Sequence, residues 1–269
     1  MPGRIGRAFE AARRDGRGAF VPYLTSGFPD PAASDRLALA LCEEGADVLE
    51  LGVPFSDPVA DGPVIQETAQ AALRAGATLE RTLAQARALR ARHETPLVVM
   101  TYLNPIVRLG LERFAAGARN AGVDGVILVD LPPEEDPGVW SAIRAAGLDT
   151  IALVSPTTEE SRMAGILAGA SGFLYVVARL GVTGKGAEDA GLRTMLERCR
   201  RGSPLPRCLG FGIGPGTDLT RYRGLAEGVV VGSALLEPLL QTPDPGSREE
   251  TVRRFARAMR ERVRALAPS

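Results

Sequence analysis

Histidine, lysine and cysteine are nearly absent from this chain of 269 residues, which has one histidine (His93), one lysine (Lys185) and three cysteines (Cys42, Cys199 and Cys208). A single histidine cannot build a multi-histidine metal site, and no two cysteines form a CxxC pair, so no metal site is expected. An odd, widely spaced cysteine set is not a disulfide framework either. A Cys–His nucleophile would have to use His93, which sits beside Arg92 and Glu94 just before an apolar run and reads as an exposed loop residue. Covalent lysine chemistry would have to use Lys185. Aromatic residues make up only 5%. Charge of one sign is not in excess: 32 basic residues face 32 acidic ones, which gives no electrostatic footprint for nucleic acid or an anionic membrane. No apolar run approaches the roughly 20 residues of a membrane span. The opening Met1-Pro-Gly-Arg-Ile-Gly-Arg has no apolar signal segment, so a soluble, cytoplasmic protein is expected.

What is present is alternation. Short runs rich in Val, Ile and Leu predict strands over Ala19–Leu24, Asp47–Leu51, Leu97–Tyr102, Gly125–Asp130, Thr150–Val154, Gly172–Val177, Cys208–Gly212 and Gly228–Gly232. They do not alternate strictly, as befits parallel strands buried on both faces. Helical spacing covers Arg4–Arg14, Pro31–Glu44, Thr78–Arg92, Leu111–Asn120, Pro133–Ala146, Glu159–Ala168, Leu192–Arg200 and Arg248–Leu266, and several of these end at Gly. Gln241–Ser247 reads as a loop. Eight β-then-α units predict an α/β protein, a (β/α)8 TIM barrel with an additional N-terminal helix and extra short helices in its βα loops. A single domain over residues 1–269 is expected. A doubly wound sheet would carry GxGxxG after its first strand, and Thr25-Ser-Gly-Phe-Pro does not match.

In such barrels the active site lies at the C-terminal ends of the strands. Glu50 is a carboxylate within the apolar strand Val48-Leu-Glu-Leu51 and needs a reason to be there. Asp57 and Asp61 follow in a loop restricted by prolines. Two carboxylates at a barrel mouth can divide acid and base roles. The plainer alternative pairs Glu50 with a core arginine and makes the aspartates turn formers and caps. Three adjacent loops are glycine-rich: Arg179-Leu-Gly-Val-Thr-Gly-Lys-Gly, Gly210-Phe-Gly-Ile-Gly-Pro-Gly and Val230-Val-Gly-Ser. Their combination predicts a phosphate cradle, with Gly232-Ser233 opening a helix whose N-terminus attracts anions; tight turns are the alternative. Tyr23, Met100, Tyr102, Ile127, Leu153, Tyr175 and Phe211 are mouth candidates that barrel packing also explains, and Asn104 and Asp130 read first as capping residues.

Phe20-Val-Pro-Tyr-Leu-Thr, the block from Glu50-Leu-Gly-Val-Pro-Phe-Ser-Asp to Gln66, Met100-Thr-Tyr-Leu-Asn-Pro, Leu128-Val-Asp-Leu-Pro-Pro-Glu-Glu, Gly181-Val-Thr-Gly, Gly210-Phe-Gly-Ile and Val231-Gly-Ser-Ala resemble the tryptophan synthase alpha chain family, collinearly over nearly the whole length. The resemblance implies retro-aldol cleavage of indole-3-glycerol phosphate to indole and glyceraldehyde 3-phosphate. It implies no cofactor in this chain, and a beta chain partner that uses pyridoxal phosphate in an αββα heterotetramer. By the same resemblance Glu50 is the general acid/base and Asp61 the carboxylate on the indole N–H, with Tyr175 and Thr183 supporting them. Gly184, Gly212, Gly232 and Ser233 match the phosphate cradle. Tyr23, Met100, Ile127, Val129, Leu153, Phe211 and Val230 match the indole pocket, and Pro54 and Asp57 the partner interface. Four positions depart from the family's habit: Ala178, Lys185, Val129 and Tyr23. A stand-alone indole-releasing lyase, another phosphate-binding barrel enzyme and a non-catalytic activator of the beta chain are the rivals. The Glu50–Asp61 pair argues against the last, and the absence of an acid at the ends of strands 1 and 5 against a histidine-pathway isomerase.

Overall fold

The computed structural model of the chain describes residues 3–177 and 185–267. Eight parallel strands, β1 (Ala19–Thr25), β2 (Leu49–Gly52), β3 (Leu97–Thr101), β4 (Gly125–Leu128), β5 (Asp149–Val154), β6 (Leu174–Val177), β7 (Arg207–Gly210) and β8 (Gly228–Val231), pair in chain order, and β8 returns to β1 to close the barrel. The strands are buried almost throughout, which explains their unbroken apolar runs.

The surrounding helices are α1 (Arg4–Arg14), α2 (Pro31–Glu43), α3 (Pro63–Arg74), α4 (Leu79–Arg90), α5 (Leu103–Leu109), α6 (Leu111–Asn120), α7 (Pro137–Ala145), α8 (Glu160–Gly169), α9 (Lys185–Gly202), α10 (Ser233–Gln241) and α11 (Pro245–Arg262). Local chemistry sets their starts. Asp30, Thr78, Asp136 and Asp244 each accept a hydrogen bond from a backbone N–H in the first turn of the helix they precede. The Asp136 cap corrects the helix expected from Pro133: its carboxylate holds the Gly138 and Val139 N–H groups, while Glu135 turns back onto the Pro132 carbonyl. The Asp244 cap likewise starts α11 at Pro245, inside the expected loop, and the tail of the expected helix is a 3-10 turn over Val263–Leu266. Helix α9 is longer than expected, and Lys185 opens it and is not a loop residue. Helix α5, in the loop after β3, is a short element of the kind foreseen in general terms, whereas α3, after β2, is a full helix of 12 residues that was not expected.

The N-terminal end of the barrel is sealed. Helix α1 sets Phe9 against Phe173 at a ring separation of 5.6 Å, and Ile5 fills the space beside Gly125, where a Cβ would crowd it. Acids on this rim are tied to arginines and backbone. Asp47 accepts from Arg17 at 2.6 and 2.9 Å and from the Phe20 N–H at 2.8 Å. Asp124 accepts from Arg90 at 2.6 Å and from the Leu97 N–H at 2.9 Å, and Glu227 holds Arg207 through side chain and backbone.

Strand register decides what faces the interior. Tyr23 pairs with Glu50 and Glu50 with Val98, while Met100 pairs with Ile127, Leu153 with Tyr175 and Val21 with Val230. Side chains alternate along a strand, and laterally paired residues share a face. Tyr23, Glu50, Met100, Ile127, Leu153 and Tyr175 therefore form one inward-facing set toward the C-terminal end.

Candidate active site

Glu50 is wholly inside the protein, with 0% of its surface exposed, and neither Oε1 nor Oε2 has a hydrogen-bond partner. Among the described residues no arginine pairs with it, which removes the structural alternative of a core ion pair. Burial, then the nearby charge of Asp61, pushes its carboxyl up to about 8. At neutral pH this acid keeps its proton.

Asp61 sits in the loop between β2 and α3. Its N–H donates to the Pro58 carbonyl, and its own carbonyl accepts from Gln66 Nε2 at 2.9 Å, so a turn and the first helical turn of α3 hold its backbone. Its Oδ2 accepts from the Tyr102 hydroxyl at 3.1 Å; its Oδ1 is buried without a partner. Burial raises this carboxyl to about 6 and the Tyr102 hydrogen bond opposes the rise. Two acids in one field thus differ in protonation at pH 7: Glu50 carries a proton and Asp61 a charge.

Two tyrosines flank the acids, and each depends on a glycine of the next strand. A Cβ at Gly52 would land on the Tyr23 hydroxyl, and one at Gly210 would land on the Tyr175 ring. These glycines give each ring room to lie across its neighbouring strand inside the barrel. Tyr175 meets Phe211 edge-on at 5.8 Å. Burial pushes both tyrosine hydroxyls up; in the alkaline range where a phenol titrates, the ionised Glu50 adds to the rise at Tyr175 and Asp61 to that at Tyr23.

A cavity of about 550 Å³ opens beside these rings. Tyr23, Met100, Tyr175, Phe211 and Val230 form its apolar wall, and Gly212, Gly232 and Ser233 line its other end. Phe211 and Gly212 both adopt the left-handed conformation, at φ 66° and 78°. For a phenylalanine this is a strained choice, of order 1–3 kcal/mol, which the surrounding loop enforces. Ser233 is the first residue of α10, and a helix start presents unpaired backbone N–H groups. The cavity therefore joins an apolar wall to a glycine-rich end at the start of a helix.

The remaining expected residues fall in three places. Glu50, Asp61, Ile127, Val129 and Leu153 do not line that cavity, which reaches Gly62 next to Asp61; Ile127 is fully buried in β4, while Val129 and Leu153 are half-buried and pack on the core. Pro54 and Asp57 line a separate outward groove of about 530 Å³ with Asn104 and Arg108. Thr183 and Gly184, like Ala178, lie outside the described residues. Asp130 is the expected cap, accepting from the Leu103 N–H at 2.8 Å. His93 is half-buried where an exposed position was expected, because its Nδ1 accepts from the Thr95 N–H. The three cysteines are buried and unpaired, and no metal-binding cluster occurs among the described residues. Two contributors escaped the sequence reading, Gly52 and Gly210, whose work is to admit a tyrosine from the preceding strand; Tyr102 was a mouth candidate there, without its contacts to the loop that holds Asp61. An isolated glycine ending an apolar strand was the available signal.

A closed barrel of eight parallel strands with two buried acids and an apolar cavity at the C-terminal ends of its strands has the layout of a (β/α)8-barrel enzyme. Comparison with known proteins narrows the class. The family model of the tryptophan synthase alpha chain matches residues 9–265. A tryptophan synthase alpha chain of Burkholderia thailandensis is 42% identical over 266 residues, 98% of each chain. The structure is similar to that of tryptophan synthase subunit alpha from Legionella pneumophila, with a TM-score of 0.86 and 37% identity over 98% of this chain and 99% of that one. A Mycobacterium tuberculosis tryptophan synthase structure gives a TM-score of 0.88 at 34% identity, again over 98% and 99%. The chain belongs to the tryptophan synthase alpha chain family, and its activity is that of the indole-3-glycerol-phosphate lyase component.

Proposed function

We propose that Glu50 and Asp61 carry the retro-aldol cleavage of indole-3-glycerol phosphate in the cavity above β2. The single observation behind this reading is Glu50 itself, a fully buried acid with neither oxygen partnered, beside a second acid with one free oxygen. The indole ring lies along Tyr23, Met100, Phe211 and Val230, backed by Ile127, Val129 and Leu153, and the phosphate sits at Gly212, Gly232 and Ser233. Thr183 and Gly184, outside the described residues, complete the cradle and its cover by resemblance alone.

The chemistry follows from the two protonation states. Protonated Glu50 gives its proton to the ring carbon that bears the glycerol chain, and positive charge develops on the indole nitrogen. Ionised Asp61 accepts the indole N–H on its free Oδ1 and stabilises that charge. Glu50, now a carboxylate, takes the proton from the adjacent side-chain hydroxyl. The carbon–carbon bond breaks, its electrons return to the ring, and indole and glyceraldehyde 3-phosphate result. The protonated ring is the electron sink, so the reaction as written needs no cofactor in this chain. Positioned acid–base groups supply roughly 10²–10⁴-fold. Tyr175, packed beside Glu50, keeps water from its carboxyl.

A tryptophan synthase alpha chain implies a beta chain partner. The proposal places the partner on the groove with Pro54 and Asp57, near Val59 and Val107, which are 87% and 66% exposed, in an αββα assembly in the cytoplasm that hands indole to the pyridoxal phosphate of the beta chain. The test is indole release from indole-3-glycerol phosphate by the purified chain alone and then with a beta chain and serine. Slow release with a large rise on adding the beta chain is expected. Fast release with no response would make it a free-standing lyase, and no release in either case would overturn the roles given to Glu50 and Asp61.

A further inference from the structure

Tyr102 belongs to neither acid's element, yet its hydroxyl makes two hydrogen bonds into one loop. It donates to Asp61 Oδ2 at 3.1 Å and accepts from the Ala60 N–H at 3.1 Å. A phenol has one proton to give, and here it goes to the carboxylate while a lone pair receives the backbone N–H; the arrangement uses the group fully.

Everything behind the hydroxyl is fixed. Tyr102 is 3% exposed and immediately precedes α5. The N–H that follows it, on Leu103, is held by Asp130, and its carbonyl accepts from the Thr101 hydroxyl at 3.1 Å. Its ring packs on Phe55 with centroids 5.0 Å apart, so the loop between β2 and α3 touches Tyr102 near its start as well as at Ala60 and Asp61.

We infer that Tyr102 is the positioning residue of this site: by holding Asp61 Oδ2 and the Ala60 N–H it clamps the loop over the mouth and reserves Asp61 Oδ1 for the substrate. This deepens the reading of Asp61 given above and rests on it. A carboxylate tethered by one oxygen cannot rotate freely, so its other oxygen keeps a fixed aim. The hydrogen bond also favours the charged form of Asp61 that the chemistry needs. The other groups that share this field are Glu50 from β2, Tyr23 from β1 and Tyr175 from β6; Asp130 acts on the Tyr102 hydroxyl itself. None of them hydrogen-bonds Asp61.

The experiment is Tyr102→Phe, which keeps the ring on Phe55 and deletes both hydrogen bonds. Steady-state indole release should show kcat down by about tenfold or more with KM for indole-3-glycerol phosphate changed by less than about threefold, since the loss falls on one charge-assisted contact. The acid limb of the kcat–pH profile should move up by about one pH unit. Independently of turnover, the Asp61 carboxyl resonance, assigned with Asp61→Asn, should titrate at higher pH in the substrate-free variant than in the wild type. An unchanged titration midpoint overturns the inference, even if the rate falls, because a merely structural role lowers rate and Tm without moving that midpoint. If the wild type releases no indole, the functional reading fails, and the Asp61 titration still decides whether Tyr102 holds it.

Discussion

The two ends of the barrel treat buried acids in opposite ways. At the N-terminal rim Asp47, Asp124 and the partly exposed Glu227 each meet an arginine and a backbone N–H in the first two residues of a strand. At the C-terminal mouth Glu50 has no hydrogen-bond partner among the described residues, and Asp61 keeps one oxygen free. Removing a charge from water costs several kcal/mol, and the rim offsets this with partners. The mouth offsets it by leaving Glu50 protonated, with its carboxyl at about 8. Satisfied acids register the strands of the closed sheet; unsatisfied ones are available to a ligand. The same residue type is thus partnered at one end and left open at the other, where the proposed chemistry would use it.

The largest break in this contrast is Glu50→Gln. It removes the proton donor, so indole release should fall by about 10²–10⁴-fold. The same variant should be more stable than the wild type in alkali, and the sign is fixed by the direction of the shift. The folded carboxyl, at about 8, lies above its ordinary 4.5, so Glu50 favours folding least once pH has risen through both values. Glutamine does not titrate, so the gain in Tm over the wild type should widen between about 4.5 and 8 and then level off. A variant that is inactive and also less stable across that window would show that Glu50 has a structural partner.

Next in size is the opposite experiment at the rim. Arg17→Leu strands Asp47, whose side chain is only 9% exposed. Breaking a buried pair by removing one partner costs about 3–5 kcal/mol, read by denaturant unfolding. The kcat of the molecules that remain folded should stay within about twofold of wild type, because a cost in folding does not enter the rate of a folded site. A parallel loss of kcat would mean that the two ends are not separate.

The smallest effect sharpens the comparison without any mutation. The rate of indole release should rise through about 6 as Asp61 ionises and fall through about 8 as Glu50 loses its proton. A profile flat between these values and beyond them would remove the division of roles between the two acids.

Much of the fold was legible because barrel strands announce themselves as short apolar runs, and the ends of β1, β5 and β8 lie within a residue or so of where hydrophobicity stops. The start of α7 was misread because Pro133 was taken as a helix opener, although Asp136, the residue that caps, stands before a proline too. Helix α5 escaped because its cap comes from Asp130, far along the chain, and no local pattern shows a cap supplied by the next strand's loop. The site divides in the same way. Glu50 was visible as a charge in an apolar strand. Tyr102 was visible only as one mouth candidate among several, since its hold on Asp61 depends on a loop 41 residues earlier folding back onto its hydroxyl. Gly52 and Gly210 likewise acquire a purpose only when β1 and β6 lay a ring against them.

The unpartnered state of Glu50 also bears on how such a chain changes over generations. Selection for folding alone would pull this position toward an uncharged residue, while it would hold Arg17 and Asp47 together. With Glu50 as the proposed proton donor, demand for the reaction is what keeps the carboxylate. A descendant recruited to a purely architectural role would therefore shed the acid at the mouth early and keep the ion pairs at the rim, so the order in which the two are lost would record when catalysis ceased to matter.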